Sequence, residues 1–390
     1  MNARQSYDGV ALVAPVTVPY QRYSQQTAHW WAARALKSAI NAAGLSPAQI
    51  DGFCVSSFSL FPDTAVGLTQ HLGLCLRWLD HIPMGGASGV VALRRAARAV
   101  QAGDATIVAC VAADTNQIDS FRKMLSSFSR FSMDAAYPYG GGGPNMSFAL
   151  LTDAYMRTYG AERDDFGRIC VGQRANAMRN PHALLRNPLT LDDYLAARPI
   201  ADPLGLYDCV MPCAGAEAFL VMPVAMAARL GLPFARIAGS IERHNAFPDD
   251  PIQLRGGWAM DADDLYAMAD CTPADIDLLQ SYDDYPVISM MQFEDLGFCA
   301  KGEGPDFVRR HDLTIHGSFP HNTSGGQLSA GQAGAAGGYI GLVEAIRQVT
   351  AQAGSTQVPG AVRAMVSGFG MINYDRGVCS AAAILQGMDP

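Results

Sequence analysis

Two well-separated stretches of this chain spell the same local phrase, and no other feature narrows the possible folds as much. Gly44-Leu45-Ser46-Pro47-Ala48-Gln49-Ile50-Asp51 precedes an apolar run, Gly52 to Ser56. Cys271-Thr272-Pro273-Ala274-Asp275-Ile276-Asp277 precedes another, Leu278 to Ser281. Each phrase follows a helical pattern, Thr27 to Ala43 and Asp261 to Asp270 respectively. In each, Ser or Thr supplies an N-cap hydroxyl, and the Pro after it suits the first helical position, where an N–H would go unpaired. A Gly-rich turn, a long Ala-rich helix and an apolar strand come next in both halves, Gly85 to Val111 and then Gly325 to Ser367. Such strand–helix alternation predicts a layered α/β fold with mostly parallel central strands. The expected organisation is an N-terminal half over residues 1–113 and a C-terminal half over 234–390. Between them, 114–233 forms an insertion that completes the N-terminal half.

Composition excludes several function classes. With 49% hydrophobic and only 16% charged residues, the 390-residue chain has enough apolar material for a large core. A surface this poor in charge also predicts cover by another subunit. The net charge is −8 and no basic run exceeds two residues, which argues against nucleic-acid binding. No stretch approaches the roughly 18 apolar residues of a membrane span, and Met1 to Tyr20 lacks the pattern of a secretory signal. Nine scattered cysteines, most in apolar runs (Cys54, Cys110, Cys170), fit reduced thiols in a cytoplasm. Cys209 and Cys213 have no second Cys/His pair, so no metal site is expected.

Four segments carry candidate chemistry. Met84-Gly85-Gly86-Ala87-Ser88-Gly89 opens the first long helix, whose N-terminal N–H groups could polarise a carbonyl. Ser281-Tyr282-Asp283-Asp284-Tyr285-Pro286 follows the second apolar run. A loop follows, His321-Asn322-Thr323-Ser324-Gly325-Gly326, leading to Leu328-Ser329, Gly331 and Gln332. Ser367-Gly368-Phe369-Gly370 runs on to Tyr374-Asp375-Arg376. A phenol of ordinary pKa, about 10, donates a hydrogen bond more readily than it takes a proton. Gln332 can orient a carbonyl but cannot accept a proton at neutral pH. His321 would restore a titratable group beside Asn322. Glycine at 86 either serves a tight turn or leaves room for substrate.

These segments, in this order, resemble the thiolase superfamily. Between them Asn176, Asn180-Pro181, Arg198-Pro199-Ile200-Ala201-Asp202-Pro203 and Cys213-Ala214-Gly215-Ala216-Glu217 are similar to its sterol-carrier branch. The resemblance implies a thiolase fold, duplicated βαβαβ halves in a five-layer α-β-α-β-α arrangement around a homodimer core. It also identifies what is missing. Gly86 stands where thiolases carry the acyl-accepting cysteine, Tyr282 where this branch has a histidine, and Gln332 where the family has its catalytic histidine. The last loop lacks the second cysteine. Acyl-enzyme chemistry is therefore not expected.

Polar groups in the vacated positions resemble thiolase-like aldolases that cleave steroid side chains as CoA thioesters beside an OB-fold, zinc-ribbon partner. The implied reaction is retro-aldol cleavage of a β-hydroxyacyl-CoA, with acyl-CoA as substrate and no bound cofactor. Tyr282, Asp283, His321, Asn322 and Tyr374 are the expected catalytic groups; Gly86, Ser88, Ser324, Gly325 and Gln332 are expected to hold substrate. One departure is that the tyrosine often found soon after the Leu-Ser pair in those aldolases is absent, the next one being Tyr339. Two alternatives stand: a non-catalytic subunit that binds acyl-CoA or supports an active partner, and a condensing enzyme that uses another cysteine.

Overall fold

The computed structural model describes residues 6–118, 138, 140, 143–373 and 376–387. The first sheet contains β1 (Val10–Gln21), β2 (Gly52–Ser56), β3 (Trp78–His81), β4 (Val108–Asp114) and a later strand, β7 (Ala214–Pro223), in the order β1-β7-β4-β2-β3. Between β4 and β7 a small ribbon pairs β5 (Pro199–Ala201) with β6 (Leu204–Gly205). The second sheet contains β8 (Arg236–His244), β9 (Leu278–Gln280), β10 (Arg363–Asn373) and β11 (Arg376–Gln386), in the order β8-β11-β10-β9. Aligning the two orders matches β8 with β1, β11 with β7, β10 with β4 and β9 with β2. The duplication in the sequence is thus a duplication of sheets.

The repeated phrase forms a single 3-10 turn before β2 and before β9. Pro47–Gln49 starts after Ser46, and Pro273–Asp275 starts after Thr272, whose backbone N–H donates to Asp275 Oδ2 at 2.8 Å. The sheets are mixed rather than mostly parallel. β2 runs parallel to β3 and β4, and β9 to β10, but β7 and β11 run antiparallel to both of their neighbours. Helical crossovers make the parallel pairs; β11 returns directly from β10, while β7 returns after the insertion.

Helices Ser88–Ala102 and Gly337–Val349 pack against each other between the sheets. They approach so closely that a Cβ at Gly89 would strike the Gly338 carbonyl. Helix Ala28–Ala42 covers the outer face of the first sheet and Trp258–Ala269 that of the second, which gives five layers, α-β-α-β-α. Helix Arg163–Ala177 of the insertion packs instead on the second half, where Arg309 pairs with Asp165 at 2.7 and 2.8 Å. Asn176 Nδ2 there donates to the His321 carbonyl at 2.9 Å. Among the described residues no helix is long and apolar enough to cross a membrane.

Candidate active site

Each central helix starts with a tight turn, Gly85–Ala87 and Gly334–Ala336, and both turns open onto one inner cavity of about 120 Å³. Phe148, Val210, Phe369 and Ile372 make its walls mostly apolar; Tyr282, Asp284, Asn145 and Gln332 supply the polar groups. A wider cavity of about 490 Å³ shares Phe58, Gln332 and Gly334 with it as a common wall. No lysine, arginine or histidine is among the described residues lining the inner one.

Gly86 does not leave room for substrate at its own Cβ. A side chain there would overlap the Tyr282 ring and the Phe369 carbonyl. The phenol stands where the thiol of an acyl-enzyme would have to be. Neither residue can change alone, because interiors are close-packed and two side chains cannot share that volume. The Tyr282 hydroxyl donates to Asp284 Oδ2 at 2.7 Å, and its backbone is held from both sides by the Gln292 amide, at 3.2 and 2.7 Å. Burial, then the Asp284 carboxylate, pushes the phenol well above its usual pKa, so Tyr282 is a donor at neutral pH.

The two aspartates after Tyr282 have different surroundings. Asp283 does not line the cavity; it caps the short helix Gly326–Ala330, accepting from Gln327 N at 3.0 Å and Leu328 N at 3.3 Å. Asp284 lines the cavity, and its Oδ1, with almost no accessible surface of its own, has no hydrogen-bond partner. Burial raises its carboxyl to about 7, against the lowering effect of the Tyr282 hydrogen bond. Sequence reasoning missed Asp284, although an Asp-Asp pair between two tyrosines in a charge-poor chain was a usable signal.

The loop after residue 320 departs from expectation. His321 is fully buried behind the site, its Nε2 2.7 Å from Ser281 Oγ and its ring edge-on to Phe293. Burial lowers its pKa to about 3, so it stays neutral and supplies no titratable group to the cavity. Asn322 adopts a left-handed backbone conformation and donates its amide to the Ser281 carbonyl at 3.1 Å. Ser88 is used within its own turn: its hydroxyl donates to the Ile82 carbonyl at 3.1 Å and accepts from Met84 N at 3.0 Å. Ser324 faces a separate small void beside Glu217. Gly325 has φ 101° and lies against Ala177, where a Cβ would not fit. Of the expected substrate-holding residues, Gly86 and Gln332 line the cavity and Ser88, Ser324 and Gly325 do not. Tyr374 lies outside the described residues. Tyr339 sits in the core with its hydroxyl 3.3 Å from Ser56 Oγ, so it does not replace the absent tyrosine.

One cysteine, Cys209, lines the cavity. Burial, then the neighbouring Asp208, pushes its thiol up to about 12, the opposite of what a nucleophile needs.

Comparisons with known proteins agree with this architecture. Residues 240–383 match the family model described as thiolase C-terminal domain-like. A steroid side-chain-cleaving aldolase of Thermomonospora curvata is 32% identical over 360 residues, 87% of this chain and 90% of the relative. A 17-hydroxy-3-oxo-4-pregnene-20-carboxyl-CoA lyase of Mycobacterium tuberculosis is 30% identical, covering 82% and 85%. An acetyl-CoA acetyltransferase of Methanothermobacter thermautotrophicus is also 30% identical, over 85% and 88%. Among solved structures, an Ltp2–ChsH2(DUF35) aldolase superposes with a TM-score of 0.81 at 28% identity, over 97% of this chain and 98% of that one. The chain belongs to the thiolase superfamily. Since both lyases and an acyltransferase are similar to it, the residues around the cavity have to discriminate between the two chemistries.

Proposed function

We propose that this chain is an acyl-CoA C–C lyase, cleaving a β-hydroxyacyl thioester by retro-aldol chemistry without an acyl-enzyme. The observation that carries this reading is the Tyr282 ring in the volume that a side chain at Gly86 would need. Acyl transfer requires a nucleophile at that helix start. Retro-aldol cleavage requires only proton transfers and stabilisation of an enolate oxygen. The relatives named as aldolase and lyase favour the same reaction. Tyr282 stands beside the reacting carbons and gives its hydroxyl hydrogen bond to Asp284. The helix start at Gly86, with the Gln332 amide, holds the thioester oxygen. The CoA thioester is the substrate, and no bound cofactor enters the scheme.

The similar solved aldolase pairs its thiolase-like chain with a DUF35 chain. We propose an equivalent OB-fold, zinc-ribbon partner here, on a homodimeric core. The test is to isolate the protein from its host, identify what accompanies it in stoichiometric amount, and assay cleavage of β-hydroxyacyl-CoA thioesters. Tyr282→Phe is expected to slow cleavage by about 10²-fold, the low end for disturbing general acid–base catalysis. Equal rates for variant and wild type, or co-purification with a cysteine-bearing thiolase, would make the chain a supporting subunit instead.

A further inference from the structure

Resting on the lyase reading above, we propose that Asp284 is the catalytic base that takes the substrate's β-hydroxyl proton, and that Tyr282 is the group that orients it. Three observations meet at this residue. Asp284 lines the inner cavity together with Gly86 and Gln332. One carboxylate oxygen, Oδ2, is fixed by the Tyr282 hydroxyl at 2.7 Å. The other, Oδ1, is shut from bulk solvent and accepts no hydrogen bond, an arrangement that is costly unless something else supplies the donor. A β-hydroxyl bound in the cavity becomes such a donor when the carboxyl turns Oδ1 towards it.

The other candidates are engaged elsewhere. Tyr282 stays protonated; Asp283 caps a helix; His321 lies behind the site. Asp284 is faced by Tyr282 and Asp283 from its own segment, by Tyr285 one residue on, and by Cys209 across the cavity. With no cation among the described lining residues, its carboxyl titrates at about 7, suited to taking and returning a proton near neutrality.

The step balances within the substrate and this residue. The β-hydroxyl proton passes to Asp284 Oδ1 as the C–O bond becomes C=O. The Cα–Cβ bond breaks, and its electron pair enters the thioester enolate. The same proton, returned to Cα, completes the shortened acyl-CoA and regenerates the carboxylate.

The test uses the full chain with its co-purified partner and two readouts. One is cleavage of 3-hydroxy-3-methylbutyryl-CoA to acetone and acetyl-CoA; the other is exchange of the acetyl-CoA methyl protons in D2O. Asp284→Asn is expected to lower both by about 10²- to 10⁴-fold. In the wild type, activity is expected to fall below about pH 7 as the carboxyl takes a proton. In Tyr282→Phe, which removes a hydrogen bond that lowers this pKa, the fall is expected at higher pH, a readout that does not depend on Asp284→Asn folding. Asp284→Asn within tenfold of wild type, or an acidic limb that Tyr282→Phe leaves unmoved, would overturn the assignment. Exchange without cleavage, lost in Asp284→Asn, would overturn the lyase reading and keep Asp284 as the acid–base group. Absence of both activities in the wild type would overturn both.

Discussion

Asp114, which ends β4 in the first half, and Asp284, just beyond β9 in the second, are both carboxylates at the end of a central strand, and they have been put to opposite uses. Asp114 accepts from five donors: Ser57 Oγ, Phe58 N, Ser59 N, Ser59 Oγ and Ala335 N. It ties the 57–59 loop of the first half to the helix-opening turn of the second, and so fixes the wall between the two cavities. Asp284 has one donor and one buried oxygen without a partner. Burial raises the pKa of both. The difference lies in satisfaction: a buried carboxylate with every lone pair used is a structural pin, and one with a lone pair left over can still react.

That contrast can be broken in three ways. The largest expected effect on stability is at Asp114. Asp114→Ala leaves several buried donors unpaired and is expected to cost about 3–5 kcal/mol in chemical denaturation, whereas Asp284→Asn changes the midpoint little. Equal losses at the two sites would erase the distinction.

A smaller effect is expected at Gly86. Gly86→Cys forces a side chain into the Tyr282 ring and is expected to destabilise by about 1–3 kcal/mol, with no acyl-cysteine seen by mass spectrometry on incubation with acyl-CoA. Adding Tyr282→Ala should recover much of that loss, because the two residues compete for one volume. Additive losses in the double variant would refute the competition.

The smallest effect is at His321. Since the imidazole is neutral down to about pH 3, His321→Asn is expected to leave the acidic limb of the rate profile in place while costing about 1 kcal/mol for the lost contact with Ser281. A displaced limb would bring His321 back into the chemistry.

Much of the architecture is legible in the chain. The paired Ser-Pro and Thr-Pro phrases mark the two small turns before β2 and β9, and the Gly-rich segments mark the starts of both central helices. The antiparallel return of β7 and β11 is not legible, because an apolar run carries no sign of strand direction. The site is legible as a set of segments but not as a set of side chains. Tyr282, Gly86 and Gln332 line the cavity; Asp283, His321, Asn322, Ser88, Ser324 and Gly325 do not. Adjacent residues at a strand end point different ways, so motif membership alone cannot separate Asp283 from Asp284.

What the sequence by itself determined is the chemistry that is absent: glycine at 86 and glutamine at 332 remove the thiol and the imidazole whatever the fold does with them. Only the tertiary structure decided what stands in their place. Tyr282 and Gly86 come from opposite halves of the chain, and they meet because two sheets enclose one pair of helices. The same packing buries His321 and leaves an oxygen of Asp284 without a partner.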